Sequence, residues 1–144
     1  MARIGVGGMM IDVGKYVGIP WVCSSVRPPS FSGADCYGLV RLFYREEFGV
    51  DVPDAGAVAG DVGSVHEAYL SVRCRWRLVD KPVPWCAVAM RRNMRVPDLV
   101  THFGIYVPGT IARVLHAPEE VTGSTLVRLS AVQQSVAGFY VWPE

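Results

Sequence analysis

The chain lacks a dominant charge. Fourteen Lys and Arg stand against 13 Asp and Glu, a formal net charge of +1, which gives no reason to expect nucleic acid as a partner. It also lacks a long hydrophobic run: no apolar stretch approaches the ~20 residues needed to span a bilayer, so membrane insertion is not expected. The N-terminus does not read as a secretory signal, because the Met9-Met10-Ile11 patch is short and is interrupted by Asp12. Internal repeats and low-complexity segments are missing too. The four cysteines, at positions 23, 36, 74 and 86, form no C-x-x-C pair, so neither a zinc ribbon nor a thioredoxin-like motif is supported. What remains is 144 residues, 51% of them apolar, enough for a single folded domain over 1–144 with its own core.

One stretch carries chemistry. Gly33-Ala34-Asp35-Cys36-Tyr37-Gly38-Leu39-Val40 delivers a cysteine to the start of an apolar-periodic helix. A thiol attacks only as thiolate, and the partial positive charge and open N–H groups of a helix N-terminus favour that form. Asp35 fits the N-cap, while Leu39, Val40, Leu42, Phe43 and Phe48 supply the apolar face. The helix is expected from Cys36 to about Phe48, stopping at Gly49. A buried structural cysteine fits the same place, so a base is needed to decide.

Two histidines meet that need. Val100–Val107 and Ile111–Ala117 read as strands flanking Pro108-Gly109-Thr110, a hairpin loop. With Gly109 as midpoint, His102 lies directly opposite His116 on one face, while Phe103, Ile105 and Val107 face a core. A slip of one residue would put His116 on the wrong side. Taken singly, each residue has a structural explanation. Together, Cys36, His102 and His116 form a nucleophile, a base and an orienting group. The same three side chains also compose a Cys-His-His zinc site, which is the less favoured alternative.

The remaining chain reads as an α+β plan, a helix-borne cysteine followed by antiparallel strands. A short helix spans Asp12 to Val17 and ends at Gly18. The Pro- and Ser-rich Val26–Ser32 reads as a flexible rim, and Val52 to Gly63 as a loop. Ser64-x-x-Glu67 reads as a capping box opening a helix to Cys74, with His66 on the surface. Further strands are expected near Trp76–Val79, Trp85–Met90 and Val136–Trp142. Arg91-Arg92-Asn93-Met94-Arg95 reads as a solvated basic loop. Cys74 and Cys86 read as packing residues, and all four thiols as free.

Tyr16-Val17-Gly18-Ile19-Pro20-Trp21, Asp35-Cys36-Tyr37-Gly38-Leu39-Val40-Arg41, His102-Phe103-Gly104-Ile105-Tyr106-Val107 and Leu115-His116-Ala117 occur in an order that resembles the NlpC-type cell-wall cysteine peptidases. Together with the closing Gly138-Phe139-Tyr140, they are similar to the branch found in tailed phages and phage-like elements. The resemblance implies a papain-like α+β fold, with the nucleophile on a helix N-terminus packed against an antiparallel sheet. It implies cleavage of amide bonds in peptidoglycan stem peptides, next to D-glutamate or diaminopimelate, with no metal or cofactor. Carried over by position, Cys36 is the nucleophile, His102 the base and His116 the orienting residue. Asp35, Tyr37 and Trp21 become candidate substrate-binding residues. Asp35 matches an acidic residue that helps hold a substrate amine, Tyr37 stands where a serine commonly follows the cysteine, and Trp21 stands where a tyrosine is common. The two aromatics are expected to narrow the substrate groove. The implied setting is a virion tail, made in the host cytoplasm and acting at the wall, with tail hub or tip proteins as partners. The alternative is a catalytically silent structural piece of a tail hub.

Overall fold

Leu39, Val40, Leu42 and Phe43 recur at helical spacing, and all four are fully buried; covering that face against a sheet organises the molecule. The computed structural model describes residues 3–6, 9–24, 26–54, 62–91, 95, 99–118 and 123–143. Positions 55–61 of the expected loop and 92–94 of the expected basic segment lie outside the described residues. In chain order the elements are β1 (Arg3–Val6), β2 (Met9–Asp12), α1 (Cys36–Phe48), α2 (Val62–Val72), β3 (Arg77–Val79) and β4 (Ala87–Met90). They continue with β5 (His102–Val107), β6 (Arg113–His116), β7 (Thr125–Arg128), α3 (Leu129–Val132) and β8 (Val136–Val141). Strands β1 and β2 form a separate hairpin, and the other six make one antiparallel sheet in the order β3-β8-β4-β5-β6-β7. The α+β expectation holds. Among the described residues, no helix is long and apolar enough to cross a membrane.

Helix α1 runs from Cys36 to Phe48 and ends on Gly49 in the left-handed region (φ 65°). It packs on β5, whose alternate residues Phe103, Ile105 and Val107 join Leu39, Leu42 and Phe43 in the main core. The opposite sheet face has a smaller cluster of Val88, Met90 and Val114, partly covered by Leu129 and Val132 of α3. Strand β4 is buried on both faces, as its unbroken apolar run predicts. Just before it, Trp85 adopts φ 68°, an uncommon conformation for a bulky residue. Phe43 stacks on its ring at 5.6 Å, Tyr44 donates its hydroxyl to the Trp85 carbonyl at 2.6 Å, and Trp85 N–H donates to Tyr106 O.

Several elements depart from expectation, each for a local reason. The first helix is a single 3₁₀ turn, Val13–Tyr16, capped by the Asp12 side chain. Val26–Ser32 is tied down, with Pro29 buried and Ser30 and Gly33 exchanging backbone hydrogen bonds. Helix α2 begins at Val62, so Ser64 lies inside its first turn and is not its N-cap. The hairpin β1–β2, strand β7 and helix α3 are too short to produce a readable period. Cys74 is exposed in a 3₁₀ turn and is not a packing residue, whereas Cys86 is buried.

Phe43 is fully buried, with the rings of Tyr16, Tyr44, Phe48 and Trp85 around it. Phe43→Ala should therefore cost about 3–5 kcal/mol. Urea denaturation should show this as a lower midpoint with an unchanged slope.

Candidate active site

The start of α1 is built around one carboxylate. Asp35 takes an extended N-cap conformation, and its Oδ1 accepts from Gly38 N–H at 2.7 Å while its Oδ2 accepts from Ser24 N–H at 2.7 Å. It is only 5% exposed, so the visible work of Asp35 is to cap the helix and pin the preceding segment to it. A Cβ at position 38 would lie 2.8 Å from Asp35 Oδ1, which explains a glycine two residues after the cysteine. Cys36 occupies the first helical position, half-buried against the main core.

The histidines come from the β5–β6 hairpin, but not in the expected register. His116 pairs with Gly104, and Val107 with Arg113; the hairpin is displaced by two residues from one centred on Gly109. A two-residue shift preserves the face on which every side chain lies. His102 and His116 therefore remain on one side as diagonal neighbours, with His102 Nε2 and His116 Nδ1 2.8 Å apart and the rings nearly perpendicular at 79°. Gly104 makes room for the pair, since a Cβ there would sit 2.7 Å from Val114 Cγ1, 2.9 Å from Leu115 O and 3.2 Å from His116 Cβ. His102 is buried and His116 half-buried.

The helix start and the strand start meet through their next residues. The Tyr37 ring lies 5.3 Å from that of Phe103, edge to face. The Tyr37 hydroxyl is buried with no hydrogen-bond partner among the described residues, and burial raises its pKa. Tyr37 lines an apolar crevice with Val40, Tyr69, Trp76 and Phe103. Trp21 is partly buried against the core. Among the described residues no three His, Cys, Asp or Glu side chains are grouped to hold a metal.

Two residues have roles that sequence reasoning missed. His66 is not simply a surface residue; its Nδ1 accepts from Val100 N–H at 3.0 Å, tying α2 to the entry of β5. Arg91 is half-buried and donates through Nη1 to Gln134 O at 3.0 Å and through its backbone N–H to Ser135 O at 2.7 Å. No local signal marks either role, because both partners are remote in sequence.

A capped helix carrying a cysteine, packed on an antiparallel sheet whose adjoining strand carries a histidine pair, defines a papain-like α+β architecture. No family model and no curated protein matches the chain. Solved structures do: NlpC1 from Trichomonas vaginalis aligns with a TM-score of 0.65 at 15% identity, covering 97% of this chain and 54% of that one. A lipoprotein-like protein of the NLP/P60 family from Staphylococcus aureus aligns with a TM-score of 0.58 at 19% identity, covering 90% of this chain and 38% of that one. The chain has the NlpC/P60 papain-like fold and spans little more than half, or less, of these neighbours.

Gly104→Ala tests the packing of the histidine pair. The added methyl meets backbone as well as side chains, so it should cost about 1–3 kcal/mol. Thermal melting should report that loss, and NMR of the imidazole nitrogens should show the His102–His116 bond broken.

Proposed function

We propose that the protein is a thiol-dependent amidohydrolase that cuts amide bonds in peptidoglycan stem peptides. The observation that carries this reading is the 2.8 Å link between His102 Nε2 and His116 Nδ1, on the strand packed against the cysteine-bearing helix. With Nε2 turned to His116, Nδ1 of His102 is the base in this scheme. It takes the Cys36 proton as sulfur attacks the carbonyl carbon, then gives it to the leaving amine as the tetrahedral intermediate collapses to a thioester. Water, activated by the same imidazole, hydrolyses the thioester and regenerates the thiol. His116 holds the ring orientation and tautomer. The Cys36 backbone N–H, at the helix start, is the oxyanion donor. The folds of the two NlpC/P60 neighbours support the choice of wall peptide as substrate.

The setting we infer is a phage-type tail tip, where the enzyme would reach the wall on an assembled particle. Its support is the Asp35–Arg41 motif and the Gly138-Phe139-Tyr140 ending, both similar to the tail-associated branch.

Cys36→Ala should abolish release of peptide fragments from purified peptidoglycan, followed by mass spectrometry, while leaving the melting temperature nearly unchanged. His102→Ala should be equally inactive, and His116→Ala weakened but active. Wild-type protein that releases nothing, together with a Cys36→Ala variant that unfolds, would establish a structural role for this cysteine instead.

Thiol labelling gives a second check. Burial pushes the Cys86 thiol up to about 11, so it stays protonated at neutral pH. Iodoacetamide at pH 7.5 should modify Cys36 and spare Cys86 until the protein is unfolded, as read by peptide mapping.

A further inference from the structure

Charge is nearly balanced over the whole chain but is not spread evenly along it. Residues 73–81 hold Arg73, Arg75, Arg77 and Lys81 against Asp80 alone, whereas the full sequence has 14 Lys and Arg against 13 Asp and Glu. All four cations are exposed, and none forms an ion pair with another described residue. Local structure gathers the three arginines. Arg73 and Arg75 belong to the 3₁₀ turn that follows α2, and Arg77 opens β3, an edge strand of the sheet. Each borders the end of β8. The Arg73 guanidinium lies 5.7 Å from the Tyr69 ring, whose hydroxyl is 2.7 Å from that of Tyr140. The Arg75 guanidinium lies 5.6 Å from the Trp142 ring, and Arg77 pairs with Val141. A ring beside a guanidinium steadies it without consuming its N–H donors.

We propose that this basic edge binds an anionic wall polymer, a flexible polyol chain joined by phosphodiesters, and so holds the protein on the wall. The choice of a wall polymer rests on the peptidoglycan-hydrolase reading above; the charge argument stands by itself. The ligand is chemically distinct from the peptide that the cysteine would cut. Successive phosphates meet successive cations and release counterions, and guanidinium forks match phosphate oxygens. The rings argue against a nucleic acid strand. Single strands gain affinity by stacking bases on open aromatic faces. Here the arginines lie over Tyr69 and Trp142, and Trp76 packs edge-on against Trp142. A polyol needs no such platform.

Fluorescence titration of the whole protein with a short synthetic poly(glycerol phosphate), at several NaCl concentrations, tests this. Binding should weaken steadily as salt rises. Arg75→Gln with Arg77→Gln should lower affinity about tenfold and reduce the logarithmic salt slope by about two. Arg75→Lys with Arg77→Lys keeps both charges and should retain most of the affinity. Arg113→Gln with Arg128→Gln removes the same charge from β6 and β7, across the sheet from β3. That pair is about 20 Å from β3 or further, beyond the ~8 Å screening length at 0.15 M salt, and should change neither reading. If the Arg75 and Arg77 glutamine pair fails to fold, Arg77→Gln alone against the control pair decides. No binding at low salt, or equal losses from the two pairs, overturns the proposal. Oligothymidylate binding about tenfold more tightly than the polyol assigns the edge to nucleic acid and overturns it as well. Wild-type hydrolysis of a short stem peptide is read separately. Hydrolysis without polymer binding overturns the basic-edge proposal alone. Polymer binding without hydrolysis supports that proposal and overturns the peptidase chemistry.

Discussion

The carboxylate of Asp35 is the constraint on which the site depends. One oxygen takes the Gly38 N–H and the other takes the Ser24 N–H, each at 2.7 Å, so a single buried group closes the helix end and fastens the segment leading to it. Charge-assisted bonds of this kind are among the stronger ones available to a protein. The result is a helix whose first residue is fixed in direction. Cys36 then follows at the first helical position, and Tyr37 is sent inward to Phe103.

A second constraint comes from absence of side chains. Gly38 admits the capping carboxylate, and Gly104 admits the Val114 side chain, the Leu115 carbonyl and the Cβ of His116. Both glycines serve close approach, and neither has a positive φ. Filling either space would displace a group packed beside a candidate site residue. The glycine spacing is therefore part of the construction of the site.

Identity to the NlpC/P60 neighbours is 15% and 19%, low enough that the shared feature is architecture. The chemistry has to be argued from the side chains that the architecture brings together. The helix supplies a cysteine at a capped end, the hairpin supplies paired imidazoles, and the bulge between β4 and β8 places Arg91 beside them. The hairpin and the bulge belong to one sheet, and the helix packs on it.

Much of the candidate site was legible in the sequence because its devices are short-range. The cap at Asp35, the extent of α1 and the hairpin carrying both histidines follow from local periodicity and turn chemistry. The common face of His102 and His116 also survives a two-residue error in register, since strand side chains alternate with period two. The sequence by itself determined which residue types stand at a helix start and on one face of a hairpin. Tertiary structure alone decided that β8 inserts between β3 and β4, that His66 bonds Val100, that Tyr37 points inward and that Arg91 lines a cavity with both histidines. Those outcomes join residues far apart in the chain, and only the competition among elements to bury apolar surface brings them together.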